Sequence, residues 1–505
     1  LHQSSAQADI SGTEFSNNRS GAGGERPADG GAGGGIYSAG PLEPLNLTNC
    51  TLSNNSSPSF GGGIVNGNRA ALILTDSTLS GNSAGRVGGG IYISTGVVTI
   101  TNSLLRNNES GNDGGGIRNG SGRLTVLNSS FTGNIADSDG NGDGSGGGIH
   151  GHDPLTVQNS SFVGNAAAYG GGIYSSDDLT VSGSTFSNNT ASRNGGGIAN
   201  NSGMAMVRSS TFSGNTAGED GGGINSRGAP LALINSTLSD NIAGANGGGI
   251  NLLSATVGIT NSIVTNSSSG IDLVQVDSDL TLGGVNIIES GLAAGANVLV
   301  VDPQLGPLAD NGGPTQTHLP QPGSPAIDAG NNAALPPELA TDQRGFERIF
   351  NGSIDIGAVE SGAGDIAYSI SLLSPASITE GDTQAGTNAT LTITRSGALD
   401  QSGSVDIVLS GTATRDEDYS LAYISGASAG FDPASDTLTF DAGVATAVFQ
   451  LNVVDDAASE PDETVIVTLA NPTAPGVATL ETATGTLTIR DNDENRVYLP
   501  LVQVP

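Results

Sequence analysis

Asn194-Gly195-Gly196-Gly197-Ile198, then Thr211-Phe212-Ser213-Gly214-Asn215, then Gly221-Gly222-Gly223-Ile224: this stretch holds one full period of the pattern that decides the fold. The Gly-Gly-Gly-Ile block occurs nine times, ending at Ile36, Ile64, Ile91, Ile117, Ile149, Ile173, Ile198, Ile224 and Ile250, in steps of 28, 27, 26, 32, 24, 25, 26 and 26 residues. A near-fixed period marks a repeat architecture. A second motif, a hydrophobic residue followed three positions later by asparagine, keeps the same beat from Phe15/Asn18 through Phe131/Asn134, Phe162/Asn165, Phe186/Asn189 and Phe212/Asn215 to Leu238/Asn241 and Ile263/Asn266.

Before most of these units lies a short alternating stretch such as Leu124-Thr125-Val126-Leu127 or Leu155-Thr156-Val157-Gln158, the pattern of a half-buried strand. Helices are excluded, since glycine costs about 1 kcal/mol per residue in a helix interior and no 3.6-residue apolar stripe offsets it. Short strands joined by glycine and asparagine corners at this period make a parallel β-helix. Identical positions then stack about 4.8 Å apart. Ile36 through Ile250 should form one dry internal ladder, Leu74, Ile100, Val126, Val157, Val181, Leu233 and Ile259 a second, and the asparagines an internal amide ladder.

The chain carries 49 acidic residues against 16 basic, all arginine, for a net charge of -33. So acidic a surface is repelled by phosphate backbones, which excludes nucleic acid as a partner. The single cysteine, Cys50, falls in the register of Ser77, Ser103 and Ser129 and reads as a small inward residue. No apolar run reaches 18 residues, so no transmembrane span is expected. The chain opens on Leu1 with no signal sequence, as expected downstream of a removed leader.

On these repeats the first half of the chain resembles the chlamydial polymorphic outer-membrane proteins and related bacterial surface proteins with Gly-Gly-Ala-Ile-like and Phe-x-x-Asn repeats. The resemblance implies a right-handed, pectin-lyase-like β-helix over residues 1–300. Residues 301–363 carry Gly323-Ser324-Pro325-Ala326-Ile327-Asp328, Thr341-Asp342-Gln343-Arg344-Gly345 and Asp355-Ile356-Gly357-Ala358-Val359-Glu360. They are similar to the C-terminal part of bacterial β-helix proteins with variable anchors, and are expected to cap the last coil and link onward. Asp328, Asp342, Arg344 and Asp355 read as buried pairs rather than catalytic groups.

From 364 to 494 the pattern changes to alternating runs such as Ala389-Thr390-Leu391-Thr392-Ile393 and Thr464-Val465-Ile466-Val467, spaced by turns, as in an immunoglobulin-like antiparallel β-sandwich. Acids gather between the strands: Glu380-Gly381-Asp382, Asp416-Glu417-Asp418, Asp455-Asp456 with Glu460 and Glu463, and Asp491-Asn492-Asp493. That order resembles a Calx-beta domain. The resemblance implies a Ca²⁺ site and implicates Glu380, Asp416, Asp418, Asp455, Asp456, Glu460, Asp491 and Asp493, hard oxygen donors of the kind Ca²⁺ takes. Asn492 departs from an all-acid closing triplet.

A weaker metal candidate is the insertion in the longest repeat, where Asp137, Asp139, Asn141 and Asp143 have the spacing of an EF-hand loop, but Gly148 stands where the bidentate glutamate belongs. His150 and His152 follow and read as a solvent-facing pair. The residues thus point to a secreted or cell-surface, adhesin-like or structural monomer with a calcium-binding module and a glycan or surface-protein ligand. An alternative is an extracellular polysaccharide lyase or hydrolase acting from the β-helix, for which no base or carboxylate pair forms a recognisable motif. Residues 495–505 are an apolar tail resembling a sorting signal.

Overall fold

The computed structural model describes residues 2–3, 7–20, 33–38, 44–67, 69–267, 271–350, 352–361, 366–381, 388–397, 399, 402–426, 430–455, 460–473, 478–480 and 483–491. The expected tail lies outside these residues. Two compact units emerge, Leu1–Ser361 and Gly362–Pro505.

The first unit is a parallel β-solenoid. Among the described residues its strands form four sheets of 11, 12, 8 and 11 members, each in sequence order, so every strand pairs with its equivalents one turn before and after. Ile198 lies between Ile173 and Ile224 in one sheet, Phe186 between Phe162 and Phe212 in the next, and Val207 between Val181 and Leu233 in a third. All of these are buried in one continuous core. Phe131, Phe162, Phe186 and Phe212 stack with ring centroids 4.7 Å apart, the interstrand spacing itself.

The glycine triplet is required by close approach. Gly195 has φ +71°, and a Cβ on Gly196 would meet Gly222 O at 2.4 Å and Thr216 O at 2.6 Å. Beside it runs the amide ladder. Asn189 Oδ1 accepts from both the backbone N–H (3.0 Å) and Nδ2 (2.9 Å) of Asn165, and its own Nδ2 donates to Phe162 O (2.9 Å) and Asn215 Oδ1 (2.8 Å). The same links run from Asn18 to Asn241. They do not reach Asn266. Thr237 pairs with Ile263 and Leu238 with Val264, so Val264 takes the inward register, Ile263 turns outward, and Asn266 is exposed. A parallel serine ladder carries Cys50 as its first member, with Cys50 N donating to Ser77 Oγ at 2.9 Å.

Residues 302–361 belong to the solenoid unit and lie along its flank. Thr315 Oγ1 donates to Gly183 O (2.9 Å), Gln343 accepts from Thr211 Oγ1 (2.6 Å) and donates to Thr185 Oγ1 (2.9 Å), and Ala358 N donates to Thr237 Oγ1 (3.0 Å). Strands Thr185–Ser187, Thr211–Ser213 and Thr237–Ser239 are therefore buried on both faces, whereas Thr78–Ser80 and Ser130–Thr132 bury only their central residue. The segment reaches the last coil through Ile263, Ile287 and Ile356. It is pinned by the fully buried Asp342–Arg344 ion pair at 2.9 Å, the paired role expected of those two residues.

The second unit packs a five-stranded sheet, with Thr446–Val453 and Asn388–Gly397 at its centre, together with a six-stranded one around Glu463–Thr473 and Gly403–Gly411. Pairing is antiparallel except where Ile366–Ser374 meets Ala478–Leu480 and where Ser377–Thr379 meets Thr484–Arg490. Leu391, Phe449, Val465 and Leu487 fill a core of its own.

Candidate metal centre

Strand register brings the sandwich acids to one end. Tyr419 opposes Val453, which sets Asp418 beside the start of the next loop, and Val454 N donates to Asp418 O at 2.9 Å. Glu463 opposes Ile489, which sets the head of its strand beside Asp491. Glu460 N donates to Asp491 Oδ2 (2.9 Å), and Glu380 N donates to Arg490 O (2.9 Å). Asp418, Glu460 and Glu463 each direct a carboxylate oxygen to within 4.8 Å of the others. Asp416 sits at φ +69°, with its N–H on Tyr419 O, and is outside that group of three. Asp455 stands two residues past Val453, the end of its strand. Asp382, Asp456 and Asp493 lie outside the described residues.

Glu463 was absent from the set implied by resemblance, and its signal was in the sequence. Glu463, Val465 and Val467 alternate onto one face, so a carboxylate is placed on the inward side of the strand. Glu463 Oε2 is shielded from solvent and accepts no hydrogen bond. Desolvation, then the charge of Asp418 and a hydrogen bond shared with it, then the charge of Glu460, hold this carboxyl above its ordinary range. A carboxylate whose ionisation is disfavoured, set among the oxygen donors of Asp418 and Glu460, fits a hard divalent ion.

The solenoid insertion behaves differently. Asp137 accepts from Gly142 N (3.0 Å), Asp139 from Asn141 N and Nδ2 (both 3.2 Å), and Asn141 Oδ1 from Asp143 N (2.9 Å). The donors close the loop on itself, and Asp137, Asp139 and Asp143 do not converge on a common point. Neighbouring His150 corrects the solvent-facing reading. Only 4% exposed, it packs between Tyr174 and His152, with Nδ1 3.3 Å from Asp113, and burial pushes its imidazole down to about 4. His152 is exposed.

A further acidic group, Asp328, Asp355 and Glu360, lies in the flank segment. Its oxygens pin backbone: Asp355 Oδ1 accepts from Asp328 N (2.7 Å), Oδ2 from Ser361 N (2.6 Å), and Glu360 Oε2 from Asp355 N (2.8 Å). Burial, then the charge of Asp355, raises Glu360 to about 8.

Residues 374–493 match the sequence model of the Calx-beta domain. The chain carries a Calx-beta domain. The Chlamydia polymorphic membrane protein repeat matches residues 183–201 and 209–227, each including one Phe-x-x-Asn unit and one Gly-Gly-Gly-Ile block. Among solved structures, the chain is similar to the apo form of the Calx CBD1 domain, at 23% identity over 25% of this chain and 98% of that one, with a TM-score of 0.19. It is also similar to CBD12 from CALX1.2, at 23% identity over 25% of this chain and 45% of that one, with a TM-score of 0.19. No curated protein matches the chain. Among the described residues no helix is long and apolar enough to cross a membrane.

Proposed function

We propose that this is a secreted or cell-surface adhesin-like protein in which a stiff β-solenoid presents the binding surface and the Calx-beta domain binds Ca²⁺. The observation that carries the calcium reading is the convergence of Asp418, Glu460 and Glu463, with Asp491 bonded to the Glu460 backbone. These carboxylates would hold the ion, which would offset their mutual repulsion and so tie three loops at one end of the sandwich. The surface placement rests on the Chlamydia polymorphic membrane protein repeats.

The test is calorimetric titration of the full chain with CaCl₂, alongside thermal melting in calcium and in chelator. Binding should stabilise the Calx-beta unit by about 2.7 kcal/mol at a hundredfold excess over Kd, and the Asp418→Asn/Glu463→Gln double variant should remove both heat and stabilisation. Identical melting with and without calcium, with no heat of binding, would make the domain a spacer whose acids only solubilise it.

A further inference from the structure

One corner of the solenoid already holds an irregular peptide segment. From Gly183 onward it holds the flank segment of the chain itself. Asn261 bonds both backbone groups of Asn331, its Oδ1 accepting the Asn331 N–H (3.0 Å) and its Nδ2 donating to the Asn331 carbonyl (3.2 Å), while Gly183 O accepts from Thr315 (2.9 Å). In the preceding turns the same register is filled by Asn102, Asn128 and Asn159, linked turn to turn through Asn102 N on Leu127 O and Asn128 N on Gln158 O. There the corner opens into two adjoining clefts of about 350 and 570 Å³ that share Asn159 and Pro314. Asn102 and Asn128 are exposed.

We infer that this open stretch docks a peptide segment without acidic side chains from a protein partner, through the same kinds of hydrogen bond that hold the flank segment one or more turns further on. The inference rests on the reading of the solenoid as a binding scaffold and names the kind of partner. The geometry repeats by translation. A shift of one turn, about 4.8 Å, carries Gly183 onto Asn159 and Thr185 onto Ser161, so the groups facing Thr315 and Gln316 recur along the open clefts, which Pro314 borders. Each asparagine amide offers N–H donors and a carbonyl acceptor, the complement of a residue's backbone C=O and N–H, as Asn261 demonstrates on Asn331. Charge narrows the occupant. The two arginines at the cleft are engaged, Arg208 with Glu338 and Arg344 with Asp342, both at 2.9 Å, and Asp76 lines the first cleft, so an acidic occupant finds no ready partner. Both clefts fall in the size range of ligand sites, roughly 300 to 1,000 Å³.

The test uses the full chain in chelator, so that its outcome is independent of calcium at the Calx-beta domain. The probe is a fluorescein-labelled peptide copying residues 311–320, Asn-Gly-Gly-Pro-Thr-Gln-Thr-His-Leu-Pro, read by fluorescence polarisation. The critical variant is Asn128→Gly/Asn159→Gly, because Gly183 shows that glycine satisfies this corner (φ +59°), so the variant should melt as the parent does. We expect saturable binding that weakens at least tenfold in the double glycine variant, stays unchanged in Arg123→Gln on a neighbouring sheet, and is not displaced by cellohexaose. Absence of binding, binding unaffected by the glycine variant, or displacement by cellohexaose each overturns the peptide assignment, the last in favour of a glycan.

Discussion

Replacing Asn189 by alanine probes the amide ladder at an enclosed point. The side chain makes four hydrogen bonds, accepting twice from Asn165 and donating to Phe162 O and Asn215 Oδ1. Alanine strands two N–H groups, the Asn165 backbone N–H and one of the two on its Nδ2, the other staying on Phe131 O (2.9 Å), in an interior with no solvent access. A buried donor left unsatisfied costs about 1 to 3 kcal/mol, so the pair should cost about 2 to 6 kcal/mol. Ser184→Ala in the adjacent ladder is the internal standard. Ser184 Oγ accepts only the Ser160 N–H (3.1 Å) and donates to Ser182 O (2.8 Å), so a single donor is stranded, at about 1 to 3 kcal/mol. Urea unfolding of both variants, followed by circular dichroism, gives the ordering. Hydrogen exchange at the Asn165 amide adds a local readout, since turns of a repeat protein can open separately. A loss for Asn189→Ala no larger than for Ser184→Ala would refute the claim that two stranded donors set the cost.

Three further outcomes follow from particular side chains. Glu360, raised to about 8 from an ordinary glutamate value, binds a proton in the fold that the unfolded chain releases, so stability of the solenoid unit falls as pH rises between those values, by 1.36 kcal/mol per pKa unit. His150, lowered to about 4, works in the opposite sense, but its contribution is complete by about pH 6.5. Melting temperatures between pH 6.5 and 8 should therefore fall for the parent chain and stay flatter for Glu360→Gln; parallel slopes would count against a proton on Glu360. In the Calx-beta domain, Glu463→Gln should raise the melting temperature in chelator while reducing the calcium response, because it removes a carboxylate whose ionisation is disfavoured; a lower melting temperature in chelator contradicts the repulsion argument. Gly196→Ala, whose Cβ would strike the Gly222 and Thr216 backbones, should destabilise far more than Gly164→Ala, where nothing lies within 4 Å and only the strain of φ +63° is felt, about 1 to 2 kcal/mol. Equal losses in urea titration would remove close packing as the reason for the triplet.

The solenoid was legible because its contacts are local in register. Ile198 meets Ile173 and Ile224 wherever a fixed period is preserved, and the same arithmetic places Asn189 on Asn215. It failed at Ile263/Asn266, where a hydrophobic pair, Ile263-Val264, let either residue satisfy the motif and the outward contact with Ile356 decided between them. Nothing periodic announced that Gln343 would bridge Thr185 and Thr211, since that contact joins residues far apart in sequence through an irregular segment. In the sandwich, the acidic loops were visible but their convergence was not. Asp418, Glu460 and Glu463 meet through loop paths that alternation does not encode, and only Glu463 left a trace, as a carboxylate in phase with Val465 and Val467.

The strict repeat also shows which positions the fold leaves undetermined. At the docking corner, Asp76, Asn102, Asn128, Asn159, Gly183 and Ser209 all adopt a left-handed φ between 41° and 59°. Glycine meets that requirement without strain, so a side chain there is not needed to turn the chain. Asparagine tolerates the same conformation while projecting an amide, and at Asn261 that amide bonds the backbone N–H and C=O of Asn331 in the flank segment. Where Gly183 and Ser209 stand, the flank segment is held instead through a carbonyl and a hydroxyl, by Thr315 and Arg348. The corner thus separates two demands that most turns merge: backbone conformation, which is constant along it, and hydrogen-bonding capacity, which varies with what lies on top. Substituting glycine at Asn128 and Asn159 removes the second while preserving the first, and a change in binding without a change in melting can then be assigned to the amides alone.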